Sequence, residues 1–245
     1  MNDLIQLIDV LDDNDLKTIN DYAETLEFGG SSVFNSTGGQ RADTNIRSSS
    51  GSNFVEGTDA TVLLHTRINQ GLEKYYKKVS SIHQNFSYYP VPCGIETTCW
   101  REGIQCLEYV DGQHYKFHHD CATDPSRQEY ERKLSVILYL TDDFLGGGTE
   151  FIHKTFKPKA GTALMFPSNW CYPHSGQPVT EGKKRVAVTW YYVDGNFNKK
   201  KEPDVPDVPV EVKELDVNQL APLLKDPGII EALKSGGFSE MMGRS

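Results

Sequence analysis

Hydrophobic positions recur at two different periods along this chain. Ile5, Leu7 and Ile8 open it as a short strand-like segment, after which Leu16, Ile19, Tyr22 and Ala23 fall on one side of a helix. Asp12, Asp13 and Asn14 stand just before that helix, where short polar side chains accept the unpaired N–H groups of a first turn. A second helical pattern runs from Val62 to Val79, with Leu63, Ile68, Leu72, Tyr75 and Tyr76 as packing positions. Between the two helices, residues 29–53 are rich in Gly, Ser, Asn and Thr and predict a long loop or mobile hairpin. Residues 88–193 are dominated by strands and turns. Leu107 to Val110 reads as a strand, Asp111-Gly112 as a turn, Gln113 to Asp120 as the next strand, and Lys183 to Tyr192 as a long alternating segment. Two helices supporting a strand-rich half predict a mainly β, α+β fold with a double-stranded β-helix (jelly-roll) core, in which the sheets enclose a cavity.

The strand periods sort the chemistry-bearing residues by face. Residues two apart on a strand share a face and neighbours oppose, so His118 and Asp120 project together while His119 points away. His174 follows 54 residues after Asp120, between Pro173 and the chain-breaking Gly176-Gln177-Pro178, and Lys184 stands ten residues further on. Two histidines and one carboxylate bind one face of a six-coordinate Fe(II) and leave the other face open. On the last long strand Lys184, Val186, Val188 and Trp190 share one face and Lys183 and Arg185 the other, so Lys184 is the inward charge if the valines face the barrel. An inward lysine supplies what an anionic co-substrate needs. Zinc accepts the same three ligand types. The helical H-E-x-x-H pattern of zinc hydrolases is absent, however, and no evident general-base glutamate accompanies these histidines.

Composition narrows the classes. A chain of 245 residues, 38% hydrophobic and 11% aromatic, is long enough for one sizeable domain with an appendage. The formal net charge of −9 argues against nonspecific nucleic-acid binding, which needs a basic footprint. Met1-Asn2-Asp3-Leu4 has no basic or apolar run of signal-peptide type, and no stretch reaches membrane-spanning length, so the expectation is a cytoplasmic protein without a membrane partner. Cys93, Cys99, Cys106, Cys121 and Cys171 are odd in number and lack C-x-x-C spacing, which favours free thiols in a reducing compartment. Four divisions are expected: 1–87 as helical support and mobile loop of the catalytic domain, 88–193 as its β core, 194–214 as a linker and 215–245 as a short helical tail. Pro203, Pro206 and Pro209, spaced by three, favour a polyproline II linker. The tail either packs on the core or docks a partner or another copy.

The motifs in order resemble the prolyl 4-hydroxylase family of the 2-oxoglutarate/Fe(II) oxygenase superfamily, over roughly residues 1–193. Its Y-x-x-G-x-x-Y-x-x-H-x-D stretch stands as Tyr109, Gly112, Tyr115, His118 and Asp120, and its R-x6-Y-L segment as Arg132, Tyr139 and Leu140. Gly146, Gly147, Thr149 and Phe151 match its G-G-x-T-x-F, and Arg47 and Ser49 its R-x-S. His174, Gly176, Pro178, Val179, Gly182, Lys184 and Trp190 match the closing segment. The resemblance implies Fe(II) on His118, Asp120 and His174, and 2-oxoglutarate with its distal carboxylate at Lys184 and Tyr139. Tyr109 would line that pocket, with Thr149 adding a hydroxyl or shaping the glycine turn. Arg132 and Trp190 match substrate-channel positions, although core packing accounts equally for Trp190. The implied reaction consumes dioxygen, releases succinate and carbon dioxide, hydroxylates a proline-containing peptide or protein, and uses ascorbate to rescue oxidised iron. The same chemistry on another side chain or a small molecule stays open, as does a noncatalytic binding module on this fold.

Overall fold

The computed structural model describes residues 4–31, 33–34, 40–41, 43–83, 99–121 and 132–193. The expected linker and tail, residues 194–245, and Cys93 lie outside them. In chain order the elements are β1 (Gln6–Asp9), α1 (Asp13–Ala23), β2 (Gly29–Gly30), β3 (Val33–Phe34), β4 (Gln40–Arg41), β5 (Ser50–Asn53), α2 (Asp59–Ile82), β6 (Cys99–Arg101), β7 (Gln105–Tyr109) and β8 (Tyr115–His118). There follow β9 (Arg132–Tyr139), β10 (Leu145–Gly146), β11 (Thr149–Phe151), β12 (Lys154–Phe156), β13 (Thr162–Pro167), β14 (His174–Gly176), β15 (Val179–Glu181) and β16 (Lys184–Val193).

A large antiparallel sheet runs β1-β13-β9-β16-β7-β5-β2, with β6 added on the far end of β16. A smaller sheet runs β12-β11-β14-β8, and β10 pairs with β15. Side-chain alternation divides the large sheet between two cores. Leu134, Val136 and Leu138 of β9, Ala163 and Met165 of β13, and Ala187 and Tyr191 of β16 pack toward the helices. Tyr139, Leu164, Phe166, Val186, Val188 and Trp190, each one residue out of phase with those, point into the barrel against Phe151, Phe156 and Val179. A shift of one residue in β9 or β16 exchanges these two sets, so the pairing register is strongly specified.

The helices are capped as their sequences require. Asp12 accepts the backbone N–H of Asp15 at 2.9 Å and the Asp15 carboxylate turns back to the N–H of Asp12, while Thr58 caps α2 through the N–H of Thr61. α2 begins three residues earlier than its hydrophobic pattern and lies close on the sheet. A Cβ at Gly71 would stand 2.9 Å from Val10 Cγ2 and 3.0 Å from Met165 Cε, so glycine permits this approach. The buried carboxylate of Asp15 takes two hydrogen bonds from Arg67, at 2.7 and 3.2 Å, tying α1 to α2.

Three expectations change. Residues 29–53 are not all loop: β5 extends the large sheet beside β7, and β3 and β4 pair as a hairpin. The strand expected over Gln113–Asp120 is short, because β8 pairs with β14 only near His174↔His118 and Gly176↔Tyr115, and the chain leaves the sheet after His118. Arg185, expected on the outer face, is 2% exposed. It reaches Glu108 Oε1 at 2.8 Å, Asn20 Oδ1 at 3.0 Å and Glu24 Oε1 at 2.6 Å, and so fastens β16 and β7 to α1. Cys106, Cys121 and Cys171 form no disulfide among the described residues. Among the described residues no helix is long and apolar enough to cross a membrane.

Removing the Arg185 guanidinium leaves the Glu108 carboxylate, 16% exposed, with only the more exposed Lys183 ammonium at 3.3 Å. Arg185→Ala is expected to lower unfolding stability by about 3 kcal/mol, in the range for breaking a buried ion pair. Lys183→Ala, at a 40% exposed side chain, is expected to change it by less than about 1 kcal/mol. Urea denaturation of both variants checks this, and equal effects contradict it.

Candidate active site

Three strand ends bring the metal-ligand candidates together. β14 lies between β11 and β8, so His174 stands opposite His118 on one side and Phe151 on the other. Asp120 lies two residues beyond β8 and turns back between the histidines. Its Oδ1 is 3.5 Å from His118 Nε2 and its Oδ2 is 3.6 Å from His174 Nε2. One ligand atom from each of the three residues falls within 4.8 Å of the others.

The outer contacts of these ligands set which atoms face the centre. His118 Nδ1 lies 2.8 Å from the Lys116 carbonyl and His174 Nδ1 lies 3.1 Å from that of Tyr172, so each ring donates there and presents Nε2 inward. Tyr115 stacks on the His118 ring at 3.6 Å, with Arg47 over its other side at 4.9 Å, while Phe166 packs edge-on against His174. Burial disfavours the imidazolium of His174 and brings its pKa to about 4 despite the pull of Asp120. It is therefore neutral at pH 7, as a metal ligand must be. Burial opposes the charged form of Asp120, but His174, His118 and the Ser135 hydroxyl hold its carboxyl well below the ordinary range. Two imidazole Nε2 atoms and a carboxylate on one side of a common point are the donor set of a facial, six-coordinate Fe(II) site, and the residues present fit that ion.

A second cluster lies deeper in the barrel. β16 pairs with β7 and β9 in a register that puts Lys184 beside Tyr109 and Val186 beside Tyr139. Lys184 is 4% exposed, with its ammonium 5.3 Å from the Tyr109 ring centre and 5.7 Å from that of Tyr139. No carboxylate among the described residues pairs with it; Nζ donates to the Gly147 carbonyl at 2.6 Å. Burial lowers its pKa to about 8. The carbonyl is placed by the glycine turn, where Gly146 and Gly147 adopt φ of 74° and 64°. A Cβ on Gly147 would meet the Phe144 ring at 2.7 Å and Lys184 Cδ at 3.2 Å. Tyr139 Oη and Thr149 Oγ1 are 2.7 Å apart and both buried. Thus Lys184, Tyr109, Tyr139 and Thr149 are gathered around one polar point in an apolar barrel.

Arg132 and Trp190 are adjacent, the guanidinium 3.7 Å from the ring centroid. Arg132 is also gripped by Glu102, through Nε at 2.5 Å and Nη2 at 2.9 Å, and Tyr192 Oη joins the same carboxylate. Glu102 carries no sequence signal of this role, since it lies between β6 and β7 and reaches Arg132 only through the fold. Trp190 is 7% exposed and its indole N–H has no partner among the described residues. Ser135, buried on β9, also escaped the sequence reading; its hydroxyl is 2.6 Å from Asp120 Oδ2.

Two histidines and an aspartate that could hold a metal thus stand in the barrel with a buried lysine that has no carboxylate partner among the described residues. Residues 104–192 match the family model described as the 2OG-Fe(II) oxygenase superfamily. An Acanthamoeba polyphaga mimivirus protein, whose name assigns it provisionally to the prolyl 4-hydroxylases, is 39% identical over 107 residues, 37% of this chain and 44% of that one. The chain thus spans less than half the length of this relative. Among solved structures, a viral collagen prolyl hydroxylase from Paramecium Bursaria Chlorella virus-1, in complex with 2OG, matches with a TM-score of 0.55 and 19% identity, over 77% of this chain and 96% of that chain. A Trichoplax adhaerens prolyl hydroxylase, in complex with a hypoxia inducible factor peptide fragment, matches with a TM-score of 0.56 and 16% identity, over 80% of this chain and 86% of that chain. Residues 104–192 are thus similar to the 2OG-Fe(II) oxygenase superfamily, part of the chain is similar to a relative named for prolyl 4-hydroxylases, and the fold is shared with solved prolyl hydroxylases. The description of the matching family names Fe(II) and 2-oxoglutarate, and the His118, Asp120 and His174 donors fit that metal.

Proposed function

We propose that this protein is an Fe(II)- and 2-oxoglutarate-dependent dioxygenase that hydroxylates prolyl residues, at the 4-position, in a peptide or protein. The observation that carries the reading is the pairing of a facial His118–Asp120–His174 set with a buried lysine that has no carboxylate partner in the described chain. A metal site alone fits several chemistries. The added cation, walled by Tyr109 and Tyr139, fits a small dicarboxylate that reaches from the metal into the barrel.

In this reading His118, Asp120 and His174 hold the iron. Iron with 2-oxoglutarate and dioxygen supplies the oxidising chemistry, in which 2-oxoglutarate is converted to succinate and carbon dioxide and one oxygen atom enters a substrate C–H bond. The chain's own residues place the reactants. Lys184 donates a charge-assisted hydrogen bond to the distal carboxylate, stronger than a neutral one. The Tyr139 and Thr149 hydroxyls share one proton between them and leave the other for the same carboxylate. Gly147 O steadies the ammonium until the co-substrate arrives. Phe151, Phe166, Val186 and Val188 keep water from the cavity, which strengthens each of these contacts.

Arg132 and Trp190 form the wall we assign to the substrate. Glu102 fixes the guanidinium, so the wall is rigid before a peptide arrives and loses little entropy on binding. A proline ring suits it, being apolar, flat-sided and without an N–H to satisfy. The relatives' names carry the same suggestion: collagen for one, a hypoxia inducible factor peptide for the other.

Succinate formation from 2-oxoglutarate under air with Fe(II), measured with and without proline-rich peptides and with product mass recorded, tests this function. Peptide-stimulated succinate and a gain of one oxygen on proline are expected. Succinate without peptide stimulation contradicts the prolyl substrate, and none despite bound metal contradicts the enzyme. A second expectation follows from burial of Lys184. Its lowered pKa, about 8, means that the cation is present below that pH and is lost above it. Affinity for 2-oxoglutarate is therefore expected to be nearly flat below pH 7, to begin to weaken as pH approaches 8 and to fall steadily beyond it. Calorimetry on the Mn(II)-loaded protein checks the profile, and constant affinity to pH 9.5, as for an ordinary lysine, contradicts it.

A further inference from the structure

We propose that Ser135 and Ser168 form a hydroxyl relay that positions Asp120 as a single-oxygen ligand of the metal. The proposal rests on the iron reading above and adds two residues that no motif marks. Asp120 needs such support because it lies past the end of β8, outside the ladder that fixes His118. A carboxylate on an unpaired stretch of backbone is free to turn about its χ angles. If both its oxygens bound the metal, it would occupy a coordination position that the co-substrates require.

The relay supplies the constraint. Ser135 is on β9, fully buried, with Oγ 2.6 Å from Asp120 Oδ2 and 2.9 Å from Ser168 Oγ. An ionised carboxylate only accepts, so the one hydroxyl hydrogen of Ser135 goes to Asp120. Ser135 Oγ must then accept from Ser168, which fixes the direction of the chain from Ser168 through Ser135 to Asp120. Ser168 is 1% exposed, and its backbone N–H donates to the Lys133 carbonyl at 3.1 Å, so the far end is anchored on the strand that carries Ser135. Both serines lie on the central, well-paired strands β9 and β13 or directly beside them. The most rigid part of the sheet therefore holds the least constrained ligand. Oδ2 also lies 3.6 Å from His174 Nε2, but the Ser135 hydrogen bond occupies it, which leaves Oδ1, 3.5 Å from His118 Nε2, as the oxygen without a hydroxyl donor to face the metal.

Binding of Co(II) to the full chain, followed by calorimetry and by the visible Co(II) spectrum, tests the relay apart from turnover. Ser135→Ala is expected to weaken Co(II) binding about 10–100-fold, the usual cost of losing a partner of a metal ligand, and to change the spectrum as the carboxylate turns. Ser135→Thr keeps the hydroxyl and is expected to restore both. Ser168→Ala, one hydroxyl further from the metal, is expected to produce a smaller loss in the same direction, and it serves as an independent test if Ser135→Ala folds poorly. Folded serine variants with wild-type affinity and spectrum overturn the relay while leaving the iron reading intact. Wild-type protein that binds no Co(II) overturns the iron reading and the relay with it.

Discussion

An ammonium group taken out of water without a counter-charge loses several kcal/mol of favourable hydration. Among the described residues Lys184 is such a group, 4% exposed, with the Gly147 carbonyl accepting from its ammonium and two tyrosine rings beside it. Nothing in folding recovers that cost, and the depressed pKa is its signature. A dianionic co-substrate does recover it, and only when seated so that one end meets the lysine and the other the metal. The structure around the lysine serves this geometry. The glycine turn at Gly146–Gly147 brings the steadying carbonyl close, and the pairing of β16 with β7 and β9 sets the depth of Lys184 relative to His118 and His174.

That depth is maintained by packing on both faces of one sheet. β16 sends Lys184, Val186, Val188 and Trp190 into the barrel and Arg185, Ala187 and Tyr191 toward the helices. The two adjacent cations therefore have opposite tasks. Arg185 is paired with Glu108 and Glu24 and stabilises the attachment of α1; Lys184 has no carboxylate partner among the described residues. α1 and α2, joined by the Asp15–Arg67 pair, press on the outer face and keep the strands in register. The helices touch no ligand, yet a slip of the sheet beneath them would turn Lys184 outward.

Much of this was readable before any coordinates. Strand parity put Lys184 inward and grouped it with Val186, Val188 and Trp190, because a period of two needs only local sequence. Ile19, Leu64, Ile68 and Leu72 are core residues on helical faces whose amphipathic pattern was evident; Leu63 packs against this core as expected, and the fully buried Leu64 beside it was not singled out. β5 was missed for a physical reason. Ser50-Gly51-Ser52-Asn53 is held by backbone pairing to β7 rather than by buried side chains, and a Cβ at Gly51 would stand 2.8 Å from Ser31 Oγ. Such a strand has no hydrophobic alternation to find. Asp120 met His118 as expected, but through a turn of the chain beyond β8 rather than along one pleat. Ser135, Ser168 and Glu102 act through contacts 15, 33 and 30 residues distant in sequence, which no local pattern encodes.

The most direct test of the account is whether metal and co-substrate share one site held by the triad and Lys184. Calorimetric titration of 2-oxoglutarate into wild-type, Asp120→Ala and Lys184→Ala proteins, each with and without Mn(II), addresses it. The account predicts tight binding only in the metal-loaded wild type. Asp120→Ala should lose the metal and the co-substrate together. Lys184→Ala should keep its Mn(II) and lose about tenfold or more in 2-oxoglutarate affinity, as expected for one charge-assisted hydrogen bond. Undiminished 2-oxoglutarate affinity in Lys184→Ala, or binding indifferent to Mn(II), would contradict it.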